Sequence, residues 1–190
     1  LTHETLEGIA KHETEYDLSH VAGFDVTRRG SVEAQIANIV DELAYNAHDL
    51  DDGLQAGLIL LDDLQQLEIW RRVCEQAGWN GHSSLDEITR HLLIRELIGI
   101  EVDDVLRTTS ARIDALQPKS AADIQQHSEQ VVSHSDEIKV LNRALKDFLY
   151  QNMYFQFRVM RMATRAQRFI EEMFGSYLEA ARQLPTEYQR

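Results

Sequence analysis

The chain has 190 residues, of which 43% are hydrophobic and 27% are charged, and its formal net charge is −13 at pH 7. This size allows one domain or a compact pair, and the composition excludes a disordered or collagen-like chain. The negative charge argues against a protein that coats nucleic acid, because affinity for a polyanion comes from clustered Lys and Arg side chains.

Cysteine content and hydropathy predict the compartment. The single cysteine, Cys74, excludes an intrachain disulfide and is typical of a reducing environment. No apolar run approaches the roughly 20 residues that span a bilayer, and no basic-then-apolar signal pattern opens the chain. We therefore predict a soluble, cytoplasmic protein without a membrane partner. Because the chain starts at Leu1, directly in a helix-like pattern, we also expect it to be part of something larger.

The first predicted element is a short amphipathic helix over residues 3–12, with Thr2 as its N-cap. Its apolar side consists of Leu6, Ile9 and Ala10. Residues 13–30 mix acidic, small and Gly residues without periodicity, which predicts a loop.

The second predicted helix begins after Ser31, a favourable N-cap, and continues to about Asp52. Gly53 is expected to end or bend it. Residues 54–77 again have a helical pattern, closed by the turn residues 78–81.

The third long helix is predicted over residues 85–116, with Ser84 as N-cap and Glu87 completing a capping box. The Gln117-Pro118-Lys119 segment stops it. Residues 120–135 are polar and poor in large apolar side chains, so we predict a connection with one weak helical turn.

Helical spacing of apolar residues returns between residues 136 and 181, where Gly175 is expected to interrupt the helix and Leu184-Pro185 follow it. No stretch alternates with the period of two that β-strands require. The predicted class is therefore all-α.

The second helix has a polar face with a composition that suggests chemistry. At about 100° per residue, its members fall within roughly a quarter of the circumference. They are Asp41, Tyr45, His48, Asp49 and Asp52. The opposite, apolar side consists of Ile36, Ile39, Val40, Leu43, Ala47 and Leu50.

Two interpretations of this face remain open. Acidic residues on a helix usually form a solvated surface. Yet Tyr45 is unusual on such a surface, and like charges three or four residues apart repel by a few tenths of a kcal/mol unless a cation neutralises them. The second interpretation is therefore a site for a cation, or for a ligand that carries one.

The same segment resembles the dGTP triphosphohydrolase family of HD-superfamily phosphohydrolases. About a dozen residues match in register within Asp41-Glu42-Leu43-Ala44-Tyr45-Asn46-Ala47-His48-Asp49-Leu50-Asp51-Asp52-Gly53 and the residues that follow. Further matches occur in the family's order, so the resemblance covers essentially the whole chain. They lie in residues 1–12, 31–35, 93–99, 102–105, 145–149 and 184–185.

The resemblance implies a divalent metal site, with Mg²⁺ or Mn²⁺ as the expected ion. In that family one His, an adjacent His-Asp pair and a distant Asp hold the metal. Asp41 matches the distant Asp, whereas the other ligands and the catalytic centre would lie upstream of Leu1. The His48-Asp49 dipeptide is not that pair, because it follows Asp41 on the same helix.

The resemblance also implies substrate contacts and products. Tyr45 would pack near the sugar of a deoxynucleoside triphosphate, and Asp49 would bind near its 3′-hydroxyl. A triphosphate needs Arg or Lys contacts, for which Arg90 and Arg95 on the matching helix are candidates, and we favour Arg95. The products would be a deoxynucleoside and inorganic triphosphate, released by a homo-oligomer.

The predicted organisation follows from these matches. Residues 1–116 form the C-terminal portion of an HD phosphohydrolase core, residues 117–135 connect, and residues 136–190 form the family's C-terminal helical extension. Because three of the four expected ligands are missing, we predict that the 190-residue chain is inactive alone. The alternative is a non-catalytic helical module for oligomerisation or nucleotide sensing.

A row of arginines on the last helix has two interpretations. Arg158, Arg161, Arg165 and Arg168 recur on one face. They form either a solvated face that pairs with acidic neighbours such as Glu171 and Glu172, or a contact for a triphosphate, an allosteric nucleotide or single-stranded DNA.

The histidines outside this region carry no ligand spacing. His12 matches a position of the family and is interpreted either as structural or as reaching the active site. The others are expected at the surface or in local hydrogen bonds: His82, His91, His127 and His134.

Overall fold

The computed structural model describes residues 1–12, 23–25, 27–81 and 85–189. All regular elements in these ranges are helices, which confirms the predicted all-α class. The α-helices are α1 (His3–Ala10), α2 (Val32–Gln55), α3 (Leu61–Leu64), α4 (Glu68–Gln76), α5 (Glu87–Leu116), α6 (Ala121–Gln125), α7 (Asp136–Leu149) and α8 (Phe157–Glu179). No helix of the described residues is long and apolar enough to cross a membrane.

Helix α1 begins as predicted and packs against α2. The Thr5 backbone N–H donates to Thr2 Oγ1 at 3.3 Å, which confirms the N-cap. The packing is close, because a Cβ atom added to Gly8 would lie 3.3 Å from the Cβ atom of Ala34. The predicted apolar side of α1 is only partly covered, since Leu6 and Ile9 are exposed. The predicted loop after α1 lies largely outside the described residues.

Helix α2 starts after its predicted cap but does not end at Gly53. The Ala34 backbone N–H donates to Ser31 Oγ at 3.3 Å. The helix continues to Gln55, and Gly53 is buried within it. A helical Gly costs only about 1 kcal/mol relative to Ala, which the surrounding structure outweighs. The chain turns instead at Gly57, whose φ of +62° favours glycine.

The apolar side of α2 is buried along only half of its length. Leu43, Ala47 and Leu50 are in the core, whereas Ile36 and Val40 are exposed. The prediction that this whole side is core is therefore wrong for its N-terminal half. Periodicity shows which residues share a side, but the position of the neighbouring helices decides how far that side is covered.

The helical pattern over residues 54–77 corresponds to two separate helices rather than one. Helices α3 and α4 are divided at Leu67, which is extended, as is Leu60 before α3. Helix α4 packs against α5 and buries Ile69, Trp70 and Val73. Cys74 is also buried on α4, and burial raises the pKa of its thiol to about 11, so this cysteine is a core residue.

Helix α5 is the longest helix of the described residues and packs against both α2 and α4. Its N-cap is Asp86, whose carboxylate accepts from the Thr89 backbone N–H at 2.8 Å. The predicted cap, Ser84, lies outside the described residues, and the predicted start at residue 85 is wrong, because the helix begins at Glu87 after its Asp86 cap. The helix ends as predicted before Gln117, which adopts a left-handed conformation with φ of +45°.

Gln35 connects α2 to the segment that precedes α7. Its buried side-chain oxygen accepts from the backbone N–H groups of Val131 (2.8 Å) and Val132 (3.1 Å). Its amide nitrogen donates to the Gly30 carbonyl at 3.0 Å. One side chain therefore satisfies three backbone groups that no helix satisfies.

We expect Gln35→Ala to lower the free energy of unfolding by about 2 kcal/mol, because two buried backbone N–H groups would lose their acceptor. Urea unfolding measures this loss. The matched control is Gln66→Ala, at an exposed position, which should change stability by less than about 0.5 kcal/mol. Equal stability of the two variants would contradict the role given to Gln35.

The predicted final helix is divided. Helix α7 passes into a π-helical turn at Tyr150–Tyr154, and α8 begins after Gln156. Gly175 does not interrupt α8, which continues through it to Glu179. Two short 3₁₀ turns, Ala181–Gln183 and Thr186–Tyr188, follow.

The chain forms two compact units, Leu1–Asp147 and Phe148–Arg190. The core of the first unit includes buried aliphatic residues of α2, α4, α5 and α7 together with Trp70. In the second unit, α8 has no buried residue. Its exposed large apolar residues include Phe157, Met162, Phe169, Ile170, Phe174 and Leu178.

Candidate functional site

The polar face of α2 is open to solvent. Tyr45 is 59% exposed. His48 and Asp52 are exposed as well, and Asp41 and Asp49 are half-buried. Helical geometry brings Asp41, Tyr45 and Asp49 to one side, because four residues make slightly more than one turn. A ligand in the solvent can therefore contact the carboxylate and phenol groups on this face.

His12 lies beside Asp41. Its Nδ1 donates to Asn38 Oδ1 at 2.6 Å, and its Nε2 lies 3.6 Å from Asp41 Oδ2. Because Nδ1 carries the proton that Asn38 accepts, Nε2 of the neutral ring has no proton to donate to the carboxylate, and the two groups form an ion pair only when the ring is protonated. His12 therefore lies next to a predicted site residue. This position favours the interpretation in which His12 reaches the active site.

The described residues do not form a metal centre by themselves. No group of three or more His, Cys, Asp or Glu side chains in the described part of the chain is arranged to hold a metal ion. Asp41 and His12 together offer two donor atoms, whereas a protein metal site commonly uses three or more. Further ligands must come from outside these residues if a metal binds here.

Arg90 is buried and paired with α2. Its guanidinium lies 2.9 Å from Asp51 Oδ1 and donates to the Asp51 carbonyl at 3.3 Å. The carboxylate contact is electrostatic rather than a well-aligned hydrogen bond, because Asp51 Oδ1 has no partner in hydrogen-bonding geometry. Nη2 also contacts His91 Nε2 at 3.2 Å. Arg90 therefore stabilises the packing of α5 against the C-terminal part of α2.

Arg95 is exposed on the same helix, five residues further on. Its side chain makes no hydrogen bond or ion pair with another residue in the described ranges. The structure therefore separates the two predicted arginines. Arg90 has partners within the fold, whereas the guanidinium of Arg95 is accessible to an external anion.

A cleft of about 330 Å³ lies between α2, α7 and the segment that joins α6 to α7. Lys146 is buried in its wall, and its Nζ donates to Glu42 Oε1 at 2.9 Å. Glu42 directly follows Asp41 in α2, so this ion pair joins α7 to the helix with the polar face. Sequence reasoning missed Lys146, although a lysine beside Leu145 in an apolar helical pattern is a weak signal for a buried charge.

A second group of buried polar residues lies between α5 and α7. Glu101 is fully buried, and Asp104 and His134 are nearly so. The expectation that His134 is a surface or locally bonded residue is wrong, since it contacts Asp104 thirty residues away. Sequence reasoning also missed Glu101, whose signal is its position between Ile100 and Val102.

Burial dominates the electrostatics of this group. It raises the pKa of Glu101 to about 8 and lowers the pKa of His134. Burial also opposes ionisation of Asp104, but hydrogen bonds from Ser135 and His134 hold the pKa of Asp104 below its ordinary value. Near neutral pH these shifts favour an uncharged Glu101 and an uncharged His134, whereas they favour an ionised Asp104.

The arginine row on α8 has local partners. The Arg158 and Arg165 guanidinium groups lie 5.8 Å and 5.3 Å from the ring centres of Phe157 and Phe169. Arg168 Nε lies 3.1 Å from Glu172 Oε1. The Arg168–Glu172 pair is the kind of contact that the first interpretation predicts, and the second interpretation stays a prediction.

Comparison with known proteins shows which proteins this chain is similar to. It is 39% identical over 194 residues to a deoxyguanosinetriphosphate triphosphohydrolase-like protein of Geobacter metallireducens. Proteins of the same name from Geobacter sulfurreducens and Ralstonia nicotianae are 36% and 39% identical over 193 and 200 residues. This chain belongs to their family. The predicted relationship is thereby confirmed.

The match concerns one half of these relatives. All of this chain is covered, but it spans about half the length of the curated relatives it matches, and it corresponds to their C-terminal half. Residues 132–190 match the phosphohydrolase-associated domain. This segment contains His134, Lys146 and the arginine row, whereas Asp41, Tyr45 and Asp49 lie before it.

Proposed function

We propose that this chain is part of a metal-dependent hydrolase that converts deoxynucleoside triphosphates, dGTP among them, to a deoxynucleoside and inorganic triphosphate. The observation that carries this proposal is the open face of α2, where Asp41, Tyr45 and Asp49 lie on one side with His12 beside Asp41. The relatives named as triphosphohydrolase-like proteins support the same reaction class.

Each residue of the face has a proposed role. Asp41 is one ligand of a divalent cation, Mg²⁺ or Mn²⁺, whose other ligands come from outside the described residues. Asp49 accepts a hydrogen bond from a sugar hydroxyl, and the exposed ring of Tyr45 packs against the sugar. Asn38 holds the His12 ring with its Nε2 beside the Asp41 carboxylate.

Arg95 is proposed to bind the triphosphate. Its guanidinium is exposed and makes no ion pair among the described residues, so that it can form charge-assisted hydrogen bonds with phosphate oxygens. Arg90 serves the fold rather than the substrate in this proposal, because it is already paired with Asp51.

The test measures inorganic triphosphate and deoxynucleoside released from dGTP with Mn²⁺ or Mg²⁺. The 190-residue chain alone is compared with a joined protein, in which the half of the Geobacter metallireducens relative that this chain does not match precedes it. We expect product from the joined protein only, because the described residues supply too few metal ligands.

Two results would contradict the proposal. One is turnover by the chain alone. The other is a joined protein that is folded by circular dichroism and binds Mn²⁺ but releases no triphosphate.

A second candidate function is a non-catalytic oligomerisation or nucleotide-sensing module. The exposed apolar residues of α8 favour it, because large exposed apolar patches commonly mark interaction surfaces. Size-exclusion chromatography of the chain with and without dNTP tests it. Assembly that depends on dNTP, without turnover by the joined protein, would favour this candidate.

A further inference from the structure

Three buried acceptor atoms on α5 and α7 have no hydrogen-bond partner. Glu101 is fully buried, and both of its carboxyl oxygens lack a hydrogen-bond partner. The side-chain oxygen of Asn142 is also buried without a partner, and the nearby Asn142 amide lowers the pKa of the Glu101 carboxyl by less than burial raises it. If Glu101 were ionised, its buried oxygens would accept no well-aligned hydrogen bond, because the Asn142 Nδ2 group near them already donates to His134 Nε2. Unpaired buried polar groups are costly, so a donor is required.

The neighbouring hydrogen bonds have a definite direction. Asn142 Nδ2 lies 3.3 Å from His134 Nε2 and donates to it. The proton of a neutral His134 is then on Nδ1, which donates to Asp104 Oδ2 at 3.3 Å. The same Asp104 oxygen accepts from the Ser135 backbone N–H at 2.8 Å. This series of hydrogen bonds therefore ends at the Asp104 carboxylate, which has two donors, and its other end is at Glu101.

We propose that Glu101 is a neutral carboxylic acid whose O–H donates to Asn142 Oδ1, completing a directed chain from Glu101 through Asn142 and His134 to Asp104. One proton then pairs one Glu101 oxygen with Asn142 Oδ1 and removes the charge from the other Glu101 oxygen. Glu101 and Asp104 belong to α5, whereas His134 and Asn142 belong to the segment that matches the phosphohydrolase-associated domain. The proton on Glu101 thereby stabilises the contact between this segment and α5.

The charges around the chain favour this arrangement. Glu42 of α2, which is paired with Lys146 of α7, places a second carboxylate near Glu101 and raises the pKa of Glu101. Lys139 of α7 disfavours a positive charge on His134, and burial does the same, while Asp104 and Glu42 act in the opposite sense. The raised pKa of Glu101 and the lowered pKa of His134 agree with a neutral acid beside a neutral imidazole.

A competing arrangement contains the same number of protons. If the proton moves from Glu101 to His134 and the Asn142 amide rotates by half a turn, Asn142 donates to an ionised Glu101 and accepts from a cationic His134. The two arrangements differ in which group is charged, so spectroscopy distinguishes them.

The first test uses the wild-type protein and Glu101→Gln near pH 6.5. The infrared spectrum of the wild type should contain a carbonyl band of a buried protonated carboxylic acid, and this band should be lost in Glu101→Gln. In ¹⁵N NMR, His134 should be neutral with its proton on Nδ1. A cationic His134, or the absence of the carboxylic acid band, would overturn the proposal in favour of the competing arrangement.

The second test follows stability with pH. The folded state retains the Glu101 proton up to about pH 8, whereas the unfolded chain loses it near 4.5. The stabilisation from this proton is therefore complete below pH 4.5 and decreases until about pH 8. The free energy of unfolding of the wild type minus that of Glu101→Gln should fall across this interval and then remain level.

The matched control is Asp103→Asn, an exposed carboxyl on the same helix, whose difference curve should lack this slope. A level wild-type-minus-Gln curve would overturn the proposal. If Glu101→Gln does not fold, ¹³C NMR titration of the Glu101 carboxyl in the wild type decides, since a midpoint near 4.5 would overturn the proposal and one near 8 would support it.

Discussion

Replacing Asp41 with alanine in the joined protein is expected to reduce metal-dependent triphosphate release by more than about 100-fold. Loss of a group that only orients a metal ligand typically costs 10- to 100-fold in metal affinity or activity, so that loss of a ligand itself should cost more. Product release with Mn²⁺ and the Mn²⁺ affinity of the folded variant measure the effect. Both should fall together, because the proposed role of Asp41 is to hold the cation.

The control for Asp41 is Asp62→Ala, at an exposed carboxylate of α3. This variant should retain activity and Mn²⁺ affinity. Full activity of Asp41→Ala would exclude Asp41 as a ligand. Loss of activity with unchanged Mn²⁺ affinity would also contradict that assignment.

Arg90→Met is expected to lower the free energy of unfolding by about 3–5 kcal/mol. The substitution removes the cation from a mostly buried pair, leaves the Asp51 carboxylate without its partner and removes a donor from the Asp51 carbonyl. Urea unfolding of the 190-residue chain measures this loss without reference to catalysis.

Arg95→Met is the matched variant, because it makes the same change on the same helix at an exposed position. Its stability should be within about 0.5 kcal/mol of the wild type, while the joined protein that carries it should bind dNTP more weakly. Comparable destabilisation by the two variants would show that both arginines serve the fold. Unchanged dNTP binding by Arg95→Met would exclude Arg95 from the triphosphate site.

Local features of the fold could be predicted because their causes lie within a few residues. Thr2 and Ser31 cap their helices through side-chain oxygens that bind N–H groups three residues away. The side shared by Asp41, Tyr45 and Asp49 follows from helical periodicity alone.

Local rules failed where packing outweighed them. Gly53 and Gly175 were expected to end or interrupt helices, yet each lies within one. The intrinsic cost of a helical Gly is about 1 kcal/mol, which neighbouring contacts readily offset at the buried Gly53. For the exposed α8, the structure gives no packing reason why Gly175 continues the helix.

The amino-acid sequence by itself determined the all-α class, the caps, the polar face of α2 and the relationship to the triphosphohydrolase-like proteins, because each is encoded by neighbouring residues or by motifs in register. Only the tertiary structure decided the roles of groups whose partners are distant in sequence. The side-chain oxygen of Gln35 accepts from backbone N–H groups that lie 96 and 97 residues later in the sequence. Lys146 donates to Glu42, which lies 104 residues earlier. The burial that keeps a proton on Glu101 likewise depends on how α5 and α7 pack, since desolvation is a property of the folded interior and not of the residue.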